Sequence, residues 1–141
     1  MKQFLYGLCT GLVIALALFL VIRLIPQEQT AEIDNSSFRN ISINSGDTVS
    51  FPLTITGEAR GNMFFEGSFP IYIEDGHFMY GTGYAQAQGD WMTTDFVPFS
   101  ATLTLSESYK GKAGIILSQD DPSDGESGKM PEILPIPVII K

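Results

Sequence analysis

Cysteine and histidine are almost absent from this chain. The single cysteine, Cys9, lies inside an apolar run, and the single histidine, His77, follows Asp75-Gly76. That scarcity removes the raw material for a disulfide framework or a Cys/His metal centre, and a Ser-His-Asp relay would in addition need a shaped cleft. Basic residues are scarce too, 8 against 16 acidic for a net charge of -8. Two of the eight, Lys2 and Arg23, flank the apolar run, so the remainder carries 6 basic against 16 acidic residues. Such a surface repels phosphate backbones, which argues against nucleic-acid binding. Nothing after Arg23 shows a helical apolar stripe longer than two turns.

The first feature present is the apolar run itself. Phe4 to Ile22 (FLYGLCTGLVIALALFLVI) holds 19 residues without a charge, and 12 of them are Leu, Ile, Val or Phe. As a helix it spans ~28 Å, the thickness of a bilayer's hydrocarbon core. Arg23-Leu-Ile-Pro-Gln-Glu follows, with no small-x-small cleavage site, so the expectation is an uncleaved anchor rather than a removed signal. The predicted organisation is a cytoplasmic N-terminus at 1–3, a transmembrane helix at 4–25, a polar linker at 26–37 and one domain at 38–141. The linker spans ~20 Å if coil-like. The acidic domain is expected on the extracytoplasmic side of the membrane.

Beyond the linker the hydrophobic period is two. Val49, Phe51, Leu53 and Ile55 alternate with polar residues or proline, as do Phe65, Gly67, Phe69, Ile71 and Ile73. Further runs are Phe99–Leu105, Ala113–Leu117 and Ile136–Ile140. Turn signals separate them, the sharpest being Asp75-Gly76 between two alternating runs, which predicts a tight hairpin. About seven strands in roughly 100 residues is the rhythm of a two-sheet, all-β sandwich of immunoglobulin type. Pro135 and Pro137 cannot donate to a ladder, so the last strand is expected at a sheet edge. Tyr109 stands where a tyrosine could bond back to the chain near Gly111.

Three segments then carry a resemblance. Gly57-Glu-Ala-Arg60-Gly61, Phe64-Phe65-Glu66-Gly67-Ser68-Phe69-Pro70 and Gly89-Asp90-Trp91-Met92-Thr93-Thr94-Asp95-Phe96-Val97-Pro98-Phe99 resemble the bacterial spore germination immunoglobulin-like domain family. The resemblance runs over roughly residues 41–140. It implies an immunoglobulin-like sandwich used as an exported or envelope module, and it brings no catalytic residues and no cofactor. Met63 stands where the family favours an aromatic residue.

The candidate site residues follow from these motifs. Trp91, Met92, Asp95 and Phe96 form a possible binding loop; Trp91 and Phe96 could make an aromatic platform for a glycan or a partner, or could plug one end of the sandwich. Arg60 is expected in a clamp with a carboxylate, Glu66 foremost and Glu58 or Asp95 within reach. The acidic Asp120–Glu126 loop fails calcium-loop spacing because Pro122 takes a ligand position. The expected function is a non-enzymatic, membrane-anchored interaction module of the bacterial envelope that binds another envelope protein or a wall polymer. The alternatives are a carbohydrate-binding module using Trp91 and, less favoured, a small hydrolase using Glu66 and Asp95.

Overall fold

The computed structural model describes residues 35–123, 126 and 128–141. The predicted 4–25 span lies outside them, and among the described residues no helix is long and apolar enough to cross a membrane. Eight strands follow in order: β1 (Phe38–Arg39), β2 (Thr48–Val49), β3 (Leu53–Arg60), β4 (Ser68–Glu74), β5 (Met79–Ala87), β6 (Phe96–Leu103), β7 (Gly111–Ser118) and β8 (Ile133–Ile140). A 3-10 turn, Gly61–Met63, separates β3 from β4.

The strands hydrogen-bond in the order β1-β3-β6-β5-β4-β7-β8-β2. With β1 and β3 through β8 lettered A to G, that is ABED followed by CFG, the neighbour relations of an immunoglobulin domain. The two-sheet expectation needs one correction. A continuous ladder joins the halves, because β5 pairs with β4 along its length and also meets β6 at Gln86↔Ser100 and Ala87↔Phe99. The result is one curled, mixed sheet, antiparallel throughout except where β2 runs parallel to β8.

Side chains pointing alternately in and out explain why these residues form strands. β8 reads exposed-buried through all eight positions, and β6 follows the same period. The inward residues meet around Phe69, whose ring makes edge-to-face contacts with Phe38 (5.5 Å), Phe64 (5.2 Å) and Phe99 (5.0 Å). Ile55, Met63, Ile71, Ile73, Leu103, Ile115, Leu117 and Ile136 are the other largest fully buried side chains of the core. Each edge-to-face pair adds about 0.5–1.5 kcal/mol beyond its area burial.

Three sequence expectations are corrected by this arrangement. The Val49–Ile55 run is not one strand: it breaks at Phe51-Pro52, and β2 joins β8 while β3 joins β6. Phe65 does not begin β4; Phe65 to Ser68 is a tight turn closed by N–H···O bonds in both directions, 2.9 and 3.0 Å. Finally, β8 is one strand in from the edge, with β2 beyond Ile139 and Ile140. The proline reasoning still has a physical counterpart. Gly46 N–H donates to the Pro137 carbonyl at 2.7 Å on the β2 side. In an extended chain the nitrogen lies on that same side, so neither Pro135 nor Pro137 is asked to donate to β7.

Residues 35–37, expected in the linker, pack with the domain. Ser37 is buried, and the Asn35 side chain accepts hydrogen bonds from Ser37 N (2.9 Å) and Phe38 N (2.7 Å). Ser37 O in turn accepts from Arg60 N at 2.9 Å, so the chain enters the domain beside the C-terminal end of β3. That end carries the three recognised motifs. The opposite end carries the Asp75-Gly76 hairpin and Lys141.

Candidate binding surface

The motif-bearing end is built by backbone packing on glycine. At Gly61 the loop before β6 crosses so closely that a Cβ would lie 1.9 Å from Thr93 O and 2.5 Å from Trp91 O. Gly61 N–H donates to Asp95 O at 3.1 Å, tying the same loop down. The loop holds its own shape through two local turns: Asp90 Oδ1 accepts from Met92 N (3.0 Å), and Thr93 Oγ1 accepts from Asp95 N (3.1 Å). The indole of Trp91 rests on the neighbouring Phe65–Ser68 turn, its Nε1 3.4 Å from where a Cβ on Gly67 would stand. Glu66 and Gly67 hold φ of +51° and +78° there.

Exposure then sorts the aromatic and apolar side chains. Trp91 is half-buried against the core. Met92 is 77% exposed and Phe65 41%. Phe65, Trp91 and Met92 therefore form an apolar tip on a domain whose charge is strongly negative. Around the tip stand Glu66, Asp90 and Asp95, all exposed. Beyond Glu66 lies Asp120, whose carboxyl is pushed up by burial, with the negative charges of Asp121 and Glu66 adding to the shift. Tyr72 is pushed up as well, by burial first and then by Tyr84 and Asp120.

Phe96 belongs to a different cluster. It faces outward from β6, and the guanidinium carbons of Arg39 and Arg60 each lie 4.0 Å from its ring centroid. The carboxylate clamp read from the sequence at Arg60 sits one strand away: Arg39 Nε donates to Glu58 Oε2 at 2.7 Å. Asn40 Nδ2 donates to the same oxygen at 2.6 Å. Arg39 first, then Asn40, hold the Glu58 carboxyl below the usual range. Arg60 itself donates from Nε to Ser36 O (3.3 Å) and from Nη1 to Thr94 O (3.1 Å). It clamps the entering chain to the Trp91 loop through carbonyls rather than through Glu66 or Asp95. Those carbonyl contacts carry no sequence signal, which is why residue type alone pointed to the carboxylates.

Thus Trp91 and Phe96 do not form one platform, whereas Trp91 and Met92 share a tip with Phe65. Glu66 and Asp95 lie on separate turns, and the Glu66 charge acts on Asp120. The Gly57–Gly61, Phe64–Pro70 and Gly89–Phe99 segments are brought together by contacts that involve Gly61 and Gly67 directly. Residues 44–126 match the family described as the immunoglobulin-like domain of bacterial spore germination. This chain belongs to that family. The match covers more than half of the chain and stops before β8, yet in this spore-germination immunoglobulin-like domain β8 pairs with β7 along its whole length. No curated protein and no solved structure matches the chain.

Proposed function

We propose that this domain is a non-enzymatic interaction module of the bacterial envelope, held at the membrane by the apolar run at Phe4–Ile22. It binds another envelope protein through the tip formed by Phe65, Trp91 and Met92. The observation that carries this reading is the coincidence of three things at one end. The segments that carry the resemblance converge there, two of their apolar side chains, Phe65 and Met92, remain exposed with Trp91 half-buried beside them, and the chain enters there from the N-terminal side. An apolar centre ringed by carboxylates suits a partner with an apolar patch and a basic rim. Because the entry point and the tip share an end, anchoring would turn the tip towards the membrane, within reach of a membrane protein.

A photoreactive amino acid at Met92 of the full chain, in native membranes, tests this. Cross-linking at Met92 to one envelope protein, with none from Phe78 at the opposite end, is the expected result. A cross-link from Phe78 alone, or from neither, contradicts it. Quenching of Trp91 fluorescence by glycan fragments, in the absence of any protein cross-link, would replace this reading with carbohydrate binding.

A further inference from the structure

The curled sheet has two outer faces of contrasting chemistry. On β3 and β6 the outward residues are mostly polar or charged, among them Thr54, Thr56, Glu58, Arg60 and Thr102, and the outward ring of Phe96 is covered by the guanidinium groups of Arg39 and Arg60. On β5, β4, β7 and β8 the outward positions include Tyr72, Tyr84, Ile116, Ile133, Pro135 and Ile139. Tyr84 is 59% exposed, Ile133 48% and Ile139 43%. Among the described residues, the charged side chains facing outward within these four strands are Glu74 and Lys112 alone. Loss of charge with gain of aromatic and aliphatic area marks the centre of a protein interface.

The rims of this face are charged, and unequally. At the motif-bearing end stand Glu66, Asp120, Asp121 and Glu132, with Lys129 among them; at the far end stand Lys110, Lys112 and Lys141, with Glu74 and Asp75 on the β4 side. Asp75 is engaged by Tyr80, whose hydroxyl donates to it at 2.7 Å. The face therefore has an acidic end and a lysine-bearing end.

From this polarity and the strand register, we infer that the β5-β4-β7-β8 face docks onto the same face of a second copy of this chain, with strands antiparallel. The two-fold axis lies across the strands, between the row Tyr72↔Ile116↔Pro135 and the row Glu74↔Gly114↔Pro137. Each element then faces its own copy in reverse. Ile116 falls over Gly114, which lacks a side chain and floors a shallow groove between Glu74, Ile116 and Pro137. Tyr72 meets Glu74, giving its hydroxyl a carboxylate to donate to. Ile133, paired with Ser118, falls over Ile139, paired with Lys112. The acidic end with Asp120 and Glu132 falls over Lys110 and Lys141. A two-fold axis along the strands would instead stack the acidic ends on each other, and like charges directly opposed are unfavourable. Four strands of outward residues cover ~450 Å² per copy at ordinary strand spacings. The pair buries ~900 Å², below the usual size of a stable interface, so the dimer is weak in dilute solution.

Cysteine pairing in the full chain, in detergent micelles and in vesicles, tests the register. In a Cys9→Ser background, chains carrying Ile133→Cys are mixed with chains carrying Ile139→Cys and oxidised. The mixture is expected to give several-fold more disulfide dimer than either variant alone, and Thr102→Cys on the other face is expected to give none. Lys110→Glu should weaken dimerisation, and adding Asp120→Lys to the same chain should restore it. A mixture no better than the single variants, equal cross-linking from Thr102→Cys, or cross-links to a different protein would overturn the proposal. The Met92 experiment reads a separate surface, so either result stands without the other.

Discussion

A Cβ at Gly61 would meet the carbonyl oxygens of Thr93 and Trp91, both main-chain atoms that cannot swing aside. Gly61→Ala is therefore expected to destabilise the domain by about 3 kcal/mol, towards the upper end of single-site effects. Thermal unfolding of the full chain in detergent should show the drop, together with a red-shifted Trp91 emission as its loop lifts. Glu66 presents the opposite case. Its φ of +51° places a branched-free but β-carbon-bearing residue in the left-handed region, which costs about 1–2 kcal/mol. Glu66→Asn, a residue that tolerates this conformation, should gain about 0.5–1 kcal/mol in the same measurement. Asp75 supplies a pH signature. The Tyr80 hydroxyl first, then the Phe78 and His77 amides, lower its carboxyl to about 2. A carboxyl lowered on folding contributes stability above its unfolded value near ~4, and that contribution is lost as pH falls from ~4 to ~2. The variant Tyr80→Phe removes the largest cause, so its stability should fall less steeply across that window than the parent's.

At the scale of elements, the strands that could be read from the sequence are those with large side chains on one face. β4 and β6 alternate large apolar residues with polar ones, proline or tyrosine. β7 and β8 keep large apolar residues at every inward position from Ile115 and Leu134, although Ile116, Ile133 and Ile139 also face out, and the Asp75-Gly76 turn joins β4 to β5 as its residues predict. β5 was not legible by the same rule. Its inward residues include Gly81, Gly83 and Ala85, too small to register as an apolar stripe. Their size has a purpose: a Cβ at Gly81 would sit 2.6 Å from Thr104 O, and one at Gly83 would sit 2.5 Å from a methyl of Leu103. β5 thus crosses close over the end of β6, and this approach curls the sheet. The two sites should differ in cost. The obstacle at Gly81 is backbone, so Gly81→Ala is expected to lose about 2 kcal/mol; at Gly83 a leucine tip can rotate, and the loss should stay below about 1 kcal/mol. Equilibrium unfolding of the two variants makes the comparison. β1 and β2, two residues each, are too short to show a period of their own, and Val49 of β2 merges in the sequence with the alternation that leads into β3.

For the whole molecule, the three motif segments are legible as strings, and folding brings them to one end. Gly61 and Gly67 admit the Trp91 loop, Arg60 ties that loop to the entering chain, and Phe65 and Met92 are left outside. The domain is polar along its long direction, with an apolar, acid-rimmed tip where the chain enters and a Phe78-bearing hairpin at the other end. Binding at the entry end is the claim on which the functional account rests. Hydrogen exchange of the full chain, compared between native membranes and the purified protein, tests it most directly. Added protection is expected in native membranes at residues 64–68 and 89–95, with the 75–79 hairpin unchanged. Protection confined to the 75–79 hairpin, with the Trp91 loop exchanging as fast as in the purified chain, would contradict it.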